Sequence, residues 1–595
     1  MLAIGILLDL LSLPVVSLVV HILALAASGI GVFADAVRGI LRRDLLDEKF
    51  LMCIASVGAF CIGESTEGVA VMLFFLVGEY FEHKAVRRSR SSIRALMDIC
   101  PDTATVIKDG VECEVDAEDV EEGDTVVIRS GERVAVDCRV VSGSAELDTS
   151  MLTGEAVPVP VGEGSELDSG TVVLGGELVC VALRAADLSR AARTLELVET
   201  ATENKSREEN FITVFSHYYT PAVIALAVLM AAIPPIVGIL PFADSLYRAL
   251  SFLVVSCPCA LVISVPMAFF GGIGGSASQG ILYKGGNTFS AISRAETVVF
   301  DKTGTLTHGE LVTDVVEGIL PKDELIALAA GAERASNHPI ARALRAEAKD
   351  LPEAHDVTEL AGLGVEATVS GSRISVGNAR LMQHRSIEIP QDIPRGSVIV
   401  ARDGRYVGFI TFRDRVKDEA KEAIAELRRL GVKRTVILSG DGAQAVSTVA
   451  EELGIDEYRA ELMPEDKYSL LEELIASSRG KTVYVGDGIN DAPCIARADV
   501  GIAMGKRGQD SAIEAADAVI MSDNLSRIPL TVRIARKTIR IAKQNIVFAI
   551  GVKLLVLLLV SLGLAGMWLA VFADVGVAVI AILNAMRTLA VSGRK

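Results

Sequence analysis

The sequence predicts a multi-domain membrane protein: an α-helical transmembrane bundle carrying a β-rich block and an α/β block in water. Three observations predict it. The 595 residues are 51% hydrophobic, with a mean hydropathy of +0.43, yet 23% are charged. Both figures hold together only if apolar and charged residues lie in separate blocks. Several apolar stretches reach or approach the roughly 20 residues that a helix needs to cross hydrocarbon. Between them lie two long hydrophilic stretches of different periodicity. The 58 Lys and Arg stand against 76 Asp and Glu, a net charge of -18, so nucleic acid, which calls for a basic footprint, is not an expected partner. Of nine cysteines only Cys257 and Cys259 are close, which argues against a disulfide framework and for reducing-compartment domains.

Apolar helices are expected near 15–40, 50–63, 66–83, 211–240, 247–272 and 544–564, with a seventh at 566–588 after a Gly-containing turn. The second and third form a hairpin around Glu64 and Glu67. The apolar stretch before Pro14 is too short to span alone and reads as the remnant of a further helix, without the flanks of a targeting segment. Arg38, Arg42, Arg43 and Lys49 cluster in one loop. Lys84, Arg87, Arg88, Arg90 and Arg94 follow the hairpin, and Arg536, Lys537, Arg540 and Lys543 precede the 544–564 helix. Positive charge marks the inner side, so the hydrophilic blocks 84–208 and 276–542 both face the cytoplasm.

In the first block, Thr103–Ile107 and Val111–Val115 flank Asp109-Gly110, a hairpin signature. Further strands are expected at Thr125–Ile128 and within Thr171–Leu183. In the second block, the short apolar runs Val298–Phe300, Thr435–Leu438 and Lys481–Val485 alternate with helical stretches at Asp418–Leu430, Ala443–Leu453 and Lys467–Ser477. That alternation predicts a parallel, doubly wound sheet with ligands at the strand C-terminal ends.

Each of those strands ends in chemistry. The first runs into Asp301-Lys302-Thr303-Gly304-Thr305-Leu306-Thr307, the second into Ser439-Gly440-Asp441, the third into Gly486-Asp487-Gly488-Ile489-Asn490-Asp491. A carboxylate at a strand end, followed by Gly and hydroxyls, can be a nucleophile beside a phosphate-binding turn. Paired carboxylates suit Mg2+, which prefers oxygen ligands and substrate phosphates. Lys467 could neutralise phosphoryl charge.

These motifs, with Thr153-Gly154-Glu155 in the first block, resemble the signature set of the P-type ATPases over essentially the whole chain. The resemblance implies that Asp301 is phosphorylated by ATP, that Asp487 and the Thr303 backbone hold Mg2+, and that Glu155 positions the water that later hydrolyses the acyl phosphate. Lys302, Ser439, Asp441 and Asn490 belong to the same set. Thr303 stands where related phosphatases of the haloacid dehalogenase type carry a second Asp as acid/base, and its loss should lengthen the life of the intermediate. Ser439 replaces the usual Thr but keeps the hydroxyl, and Gly442 stands where Asn is common. In the inserted stretch, Glu333, the His338-Pro339 pair, Gly362 and Gly364 resemble the ATP site of the heavy-metal branch. The implied organisation is transmembrane helices in 1–83, an actuator domain in 84–208, transmembrane helices in 209–275, a haloacid-dehalogenase-like phosphorylation domain in 276–310 and 415–542, an α+β nucleotide-binding domain in 311–414, and transmembrane helices in 543–595.

Ser256-Cys257-Pro258-Cys259 sits in the middle of an apolar helix, which Pro258 is expected to kink. Pro removes a helix hydrogen bond, which frees carbonyls beside two soft sulfur ligands; such ligands suit Zn2+, Cd2+, Pb2+ or Cu+. Lys553 and Asp574 lie within the last two helices, where charge is costly and functional by default. Asp574-Val575-Gly576, with Gln544, Asn545 and Lys553, resembles the zinc/cadmium/lead exporters. The copper exporters' Met-x-x-Ser-Ser is absent, since the stretch reads Met586-Arg587-Thr588-Leu589. Two thiolates and one carboxylate around a divalent ion leave one negative charge, which protonated Lys553 cancels, so Lys553 is expected to act as a counterion. Glu67 is a candidate exit ligand by family position, and Gly29 and Gly31 are placed to bend the first helix. No Cys-x-x-Cys domain or His-rich tail is present in the sequence, so regulation by one is not expected.

The implied activity is ATP-driven export of Zn2+, Cd2+ or Pb2+ across the plasma membrane, such as a bacterial inner membrane, with lipid, ATP and cytoplasmic metal donors as partners. A Cu+ exporter and a membrane-tethered phosphatase or metal sensor are the alternatives.

Overall fold

The computed structural model describes residues 4, 6–7, 14–41, 48–97, 101, 103–108, 110–150, 158–186, 189, 192, 207–256, 259–336, 338–360, 362–394, 396–487, 491–505 and 514–590. The chain forms two compact units, one of Met1–Ala295, Ala516–Ser522 and Leu530–Lys595, the other of Glu296–Ala515 and Asp523–Pro529.

In the first unit, helices occupy Pro14–Leu41, Glu48–Cys61, Ser65–Met97, Arg207–Ile236, Phe242–Val255, Cys259–Ala277, Arg527–Ser561 and Met567–Met586. By length and apolarity, four described stretches can cross a membrane: Val15–Arg38, Phe242–Ala277, Arg527–Ser561 and Leu569–Met586; Met52–Cys61 and Pro221–Ile236 are shorter apolar helices. Two helices outrun their apolar cores. Ser65–Met97 continues past residue 83 through basic sequence, and Arg527–Ser561 starts well before residue 544. Charged residues with good helix propensity prolong a helix into water without any change of backbone geometry.

The apolar segment around Cys257 divides as its proline requires. One helix ends at Val255, where the Ser256 N–H turns back to the Leu253 carbonyl, and the next begins at Cys259. Gly29 and Gly31, where a bend is expected, lie within the one helix Pro14–Leu41. Gly29 also serves packing. A Cβ there would come within 2.9 Å of Phe33 and 3.4 Å of Met72 on the neighbouring helix. Asn545 ties the last two helices together: its amide donates to the Ala581 carbonyl and accepts from Asn584, each at 2.9 Å. Inside hydrocarbon such a polar bond between helices has no water to compete with it.

The strand-rich block folds as expected around the hairpin Thr103–Lys108 and Val111–Asp116. A six-stranded sheet runs in the order Val111–Asp116, Thr103–Lys108, Thr125–Arg129, Glu177–Ala182, Cys138–Ser142, Glu166–Leu167, beside a three-stranded sheet centred on Ala145–Asp148. Alternate residues Val126, Ile128, Val140, Leu178 and Cys180 fill its core, the period-two pattern of a half-buried sheet.

The second unit holds two sheets. One runs in the order Val500–Met504, Lys481–Gly486, Ala295–Asp301, Arg434–Leu438, Glu457–Arg459. Ala295–Asp301 pairs parallel with Arg434–Leu438, that strand with Glu457–Arg459, and Lys481–Gly486 with Val500–Met504, and Asp301 stands in register with Leu438. The strands are nearly all buried apolar residues, as strands covered on both faces must be. The other sheet has six antiparallel strands, Thr307–Gly318, Arg405–Val416, Val398–Arg402, Ser372–Gly377, Gly364–Val369 and Ala354–Leu360, in that order. It packs against helix Lys322–Ala332 through Leu325, Ile326 and Ala329.

Candidate phosphoryl-transfer, nucleotide and ion sites

Asp301, Ser439 and Asp487 stand at or just beyond the ends of neighbouring strands, so the sheet gathers three loops at one edge. Carboxylate oxygens of Asp301, Asp487 and Asp491 lie within 4.8 Å of one another. Lys467 Nζ donates to Asp301 Oδ1 at 2.5 Å and to Asp491 Oδ1 at 3.2 Å. Burial, reinforced by the charge of Asp491 and opposed by Lys467, pushes the Asp301 carboxyl up to about 7. Burial, with Asp491 next, pushes Asp487 up to about 6.

Beside the nucleophile, Asp441 Oδ2 accepts from Lys302 Nζ at 2.8 Å, from Ser439 Oγ at 3.0 Å and from Thr303 Oγ1 at 3.1 Å. Burial would raise Asp441, but Lys302 and the two hydroxyls outweigh it and hold the carboxyl below its usual range. Gly304 sits at φ +76°, and a Cβ on it would lie 1.7 Å from Asp487 Oδ2. Only glycine permits both that backbone and that approach. Three clustered carboxylates, one of them against a bare backbone, are the hard oxygen donors that Mg2+ requires, so the residues fit that ion.

Several contributors were not singled out in the sequence. Asp491 belongs to a quoted motif but had no assigned role; Tyr484 donates to its Oδ1 at 3.0 Å from within the sheet. Lys417, with its side chain fully buried, donates to the Gly304 carbonyl at 3.0 Å and pairs with Asp523 at 2.6 Å. Asp414 accepts from Thr307 Oγ1 at 2.6 Å and lies 3.8 Å from Lys302 Nζ. Asp414 and Lys417 sit where the chain returns from the inserted sheet, which was the one available signal.

The four residues expected around a nucleotide, Glu333, His338, Gly362 and Gly364, all line one cavity of about 1040 Å³. His338 caps helix Pro339–Glu347, its Nδ1 accepting from the Ile340 N–H at 3.3 Å. Gly364 has φ +144°, and a Cβ there would meet the Val376 carbonyl at 2.2 Å. Glu333 Oε2 is buried without a partner among the described residues. Burial, opposed by Ser336, raises its carboxyl. A buried acceptor at a cavity wall is suited to an amine or ammonium donor from a ligand.

Between the helices, Lys553 Nζ pairs with Asp574 Oδ1 at 2.6 Å and donates to the Val255 carbonyl at 3.1 Å. Glu67 Oε1 accepts from Tyr247 at 3.0 Å, while its Oε2 is buried and has no partner among the described residues. Thr153, Gly154, Glu155, Asn490 and Cys257 lie outside the described residues, as does the Cys259 side chain.

Residues 295–499 match the haloacid dehalogenase-like hydrolase family and residues 98–199 the P-type ATPase actuator domain. A cadmium, zinc and cobalt-transporting ATPase of Bacillus subtilis (strain 168) is 48% identical over 565 residues, covering 93% of this chain and 80% of that protein. A zinc-transporting ATPase of Synechocystis sp. is 46% identical over 94% of this chain and 79% of its own length. The crystal structure of a zinc-transporting PIB-type ATPase in its E2.Pi state superposes with a TM-score of 0.61 at 35% identity, covering 99% of this chain and 98% of that one.

Proposed function

The chain belongs to the PIB class of the P-type ATPases, a family of membrane-embedded enzymes, and we propose that it exports Zn2+, together with Cd2+ and Pb2+, from the cytoplasm at the expense of ATP. One observation carries the choice of cargo. The Lys553 ammonium bridges Asp574 and the Val255 carbonyl, two residues before Cys257 in the chain, so a carboxylate and a cation meet at the backbone that leads into the Cys-Pro-Cys segment. Relatives named for cadmium, zinc and cobalt support a divalent ion. Thiolates with one carboxylate suit a soft divalent ion and leave an excess negative charge, which Lys553 cancels. When the ion departs, Lys553 recaptures Asp574 and discourages its return. Glu67, whose Oε2 has no partner among the described residues, serves as the exit ligand.

The energy enters at Asp301. ATP lies in the cavity of Glu333, His338, Gly362 and Gly364, where Glu333 accepts from the adenine amine. A carboxylate oxygen of Asp301 bonds to the γ-phosphorus, the bond to ADP breaks, and an acyl phosphate remains. Lys467 offsets charge on the transferring group, and Asp441, held ionised by Lys302, fixes the Thr303 and Ser439 hydroxyls around it. Asp301, Asp487 and the Thr303 backbone would hold Mg2+, with Asn490 assigned to the same site, and the ion would supply further positive charge to the phosphate oxygens. Glu155, with Thr153 and Gly154, orients the water that cleaves the acyl phosphate. Thr303 offers no carboxylate to hasten that step, which leaves time for the transport change. The chain acts in a bacterial plasma membrane, in contact with lipid and with cytoplasmic metal donors. The domain boundaries are those set out from the sequence.

ATPase activity of purified protein in lipid, across a panel of metals, tests this reading. Zn2+, Cd2+ and Pb2+ should stimulate and Cu+ should not, and inverted vesicles should accumulate labelled zinc with ATP. Stimulation by Cu+ alone would make it a copper pump. Hydrolysis without uptake would make it a phosphatase.

A further inference from the structure

The helix Arg527–Ser561 changes character partway along. Arg536, Arg540 and Lys543 occupy one side of it, and Val547 and Phe548 follow within the next turn. With Arg294 these residues line a cavity of about 860 Å³ whose walls carry no carboxylate among the described residues. Arg536 is engaged: its Nε donates to the Ser293 carbonyl and its Nη2 to the Ala295 carbonyl, both at 3.1 Å. Arg294, Arg540 and Lys543 are exposed, and neither Arg540 nor Lys543 forms an ion pair among the described residues. From Val547 at the cavity's edge, 72% exposed, the same side of the helix stays apolar and exposed through Leu554 at 61% and Leu558 at 56%.

That gradient from cationic to apolar over about two turns matches one molecule, an anionic glycerophospholipid. We propose that this cavity is a binding site for the phosphate headgroup of an inner-leaflet anionic lipid, with an acyl chain lying along Val547, Leu554 and Leu558. Three observations favour a lipid over a soluble occupant. The cations cluster where a hydrophilic helix turns apolar, which is the depth of the headgroups. Basic pockets at the cytoplasmic ends of transmembrane helices recognise anionic headgroups through charge complementarity. The apolar stripe that continues the cavity would be left bare by inorganic phosphate or an acidic peptide. Arg536 fixes the wall and Arg540 and Lys543 hold the ligand. The proposal rests on the reading that this helix crosses the bilayer with its N-terminal end on the cytoplasmic side.

The test places the whole protein in phosphatidylcholine nanodiscs containing spin-labelled phosphatidylglycerol or spin-labelled phosphatidylcholine and measures the protein-bound fraction of each label. Phosphatidylglycerol should be preferred. Arg540→Gln/Lys543→Gln should cut that preference about 25-fold, because each cation near the surface contributes on the order of a fivefold change in affinity. Phosphatidylcholine binding should not change. Both side chains are exposed, and a thermal melt of each variant checks the fold; Arg540→Lys should retain most of the preference. Inorganic phosphate at millimolar concentration should fail to displace the label. Three results would overturn the proposal: equal binding of the two labels, no loss in the double variant, or displacement by phosphate, which would indicate a plain anion site. The measurement uses neither ATP nor transported metal, so its outcome is independent of the transport reading.

Discussion

Gly304 carries two constraints at once, a left-handed backbone and a carboxylate oxygen where its Cβ would be. Gly304→Ala should therefore displace Asp487 from the nucleophile by about an ångström, and a misplacement of that size costs on the order of 100-fold in rate. The check is the yield of acid-stable phosphoenzyme, with a thermal melt to show that the fold survives. The clustered carboxylates also impose a pH dependence. Asp301 and Asp487 are raised to about 7 and 6, so the folded, ion-free site holds protons that the unfolded chain would have released. Stability from that site is full below about pH 4 and is lost as pH rises through 6 to 7. Mg2+ has to displace those protons, so its affinity should fall as pH drops from 7 to 6, by up to about tenfold per proton released. Calorimetric titration of Mg2+ at both pH values measures it; an affinity that rises on acidification would contradict the assignment. Tyr484→Phe removes the hydroxyl from Asp491 and should slow phosphorylation without changing the affinity for nucleotide.

Among the elements, the last two membrane helices are joined by a pair that is costly to break on one side only. Lys553→Met leaves Asp574 buried with no cation, at about 3–5 kcal/mol, whereas Lys553→Met/Asp574→Asn removes both charges. The double variant should melt above either single variant in detergent, and both should lose metal-stimulated hydrolysis. In the inserted sheet, Glu366 is buried and accepts from Arg385 Nε and Nη2, each at 2.7 Å, and from Arg373 at 2.8 Å. Burial would raise it, but the two arginines outweigh that and hold it below the usual range. Its contribution is present above the unfolded value and lost as pH falls through the folded one. Glu366→Gln should lower the melting temperature at pH 7 and by less at pH 4.

At the scale of the whole molecule, the sequence was most legible where the physics is local. Runs of apolar residues placed the helices to within a few residues of their cores, and strand ends placed Asp301, Ser439 and Asp487 at one edge. What it hid was long-range pairing. Lys417 reaches Asp523 across 106 residues and Gly304 across 113, and no spacing rule announces such a contact. The close approach at Gly29 was hidden for the related reason that glycine is consistent with both a kink and a close approach, and the neighbour, Met72, is distant in sequence.

The central claim is that a transient acyl phosphate at Asp301 drives an ion past Asp574 and the Cys-Pro-Cys segment. The most direct measurement gives γ-labelled ATP and Mg2+ to purified protein in lipid, with and without Zn2+, and quenches it in acid. The account expects acid-stable, hydroxylamine-labile label that depends on Zn2+, maps to Asp301, and is absent from Asp301→Asn and from Cys257→Ala/Cys259→Ala. Label that persists in Asp301→Asn, or that forms equally without any metal, would contradict it.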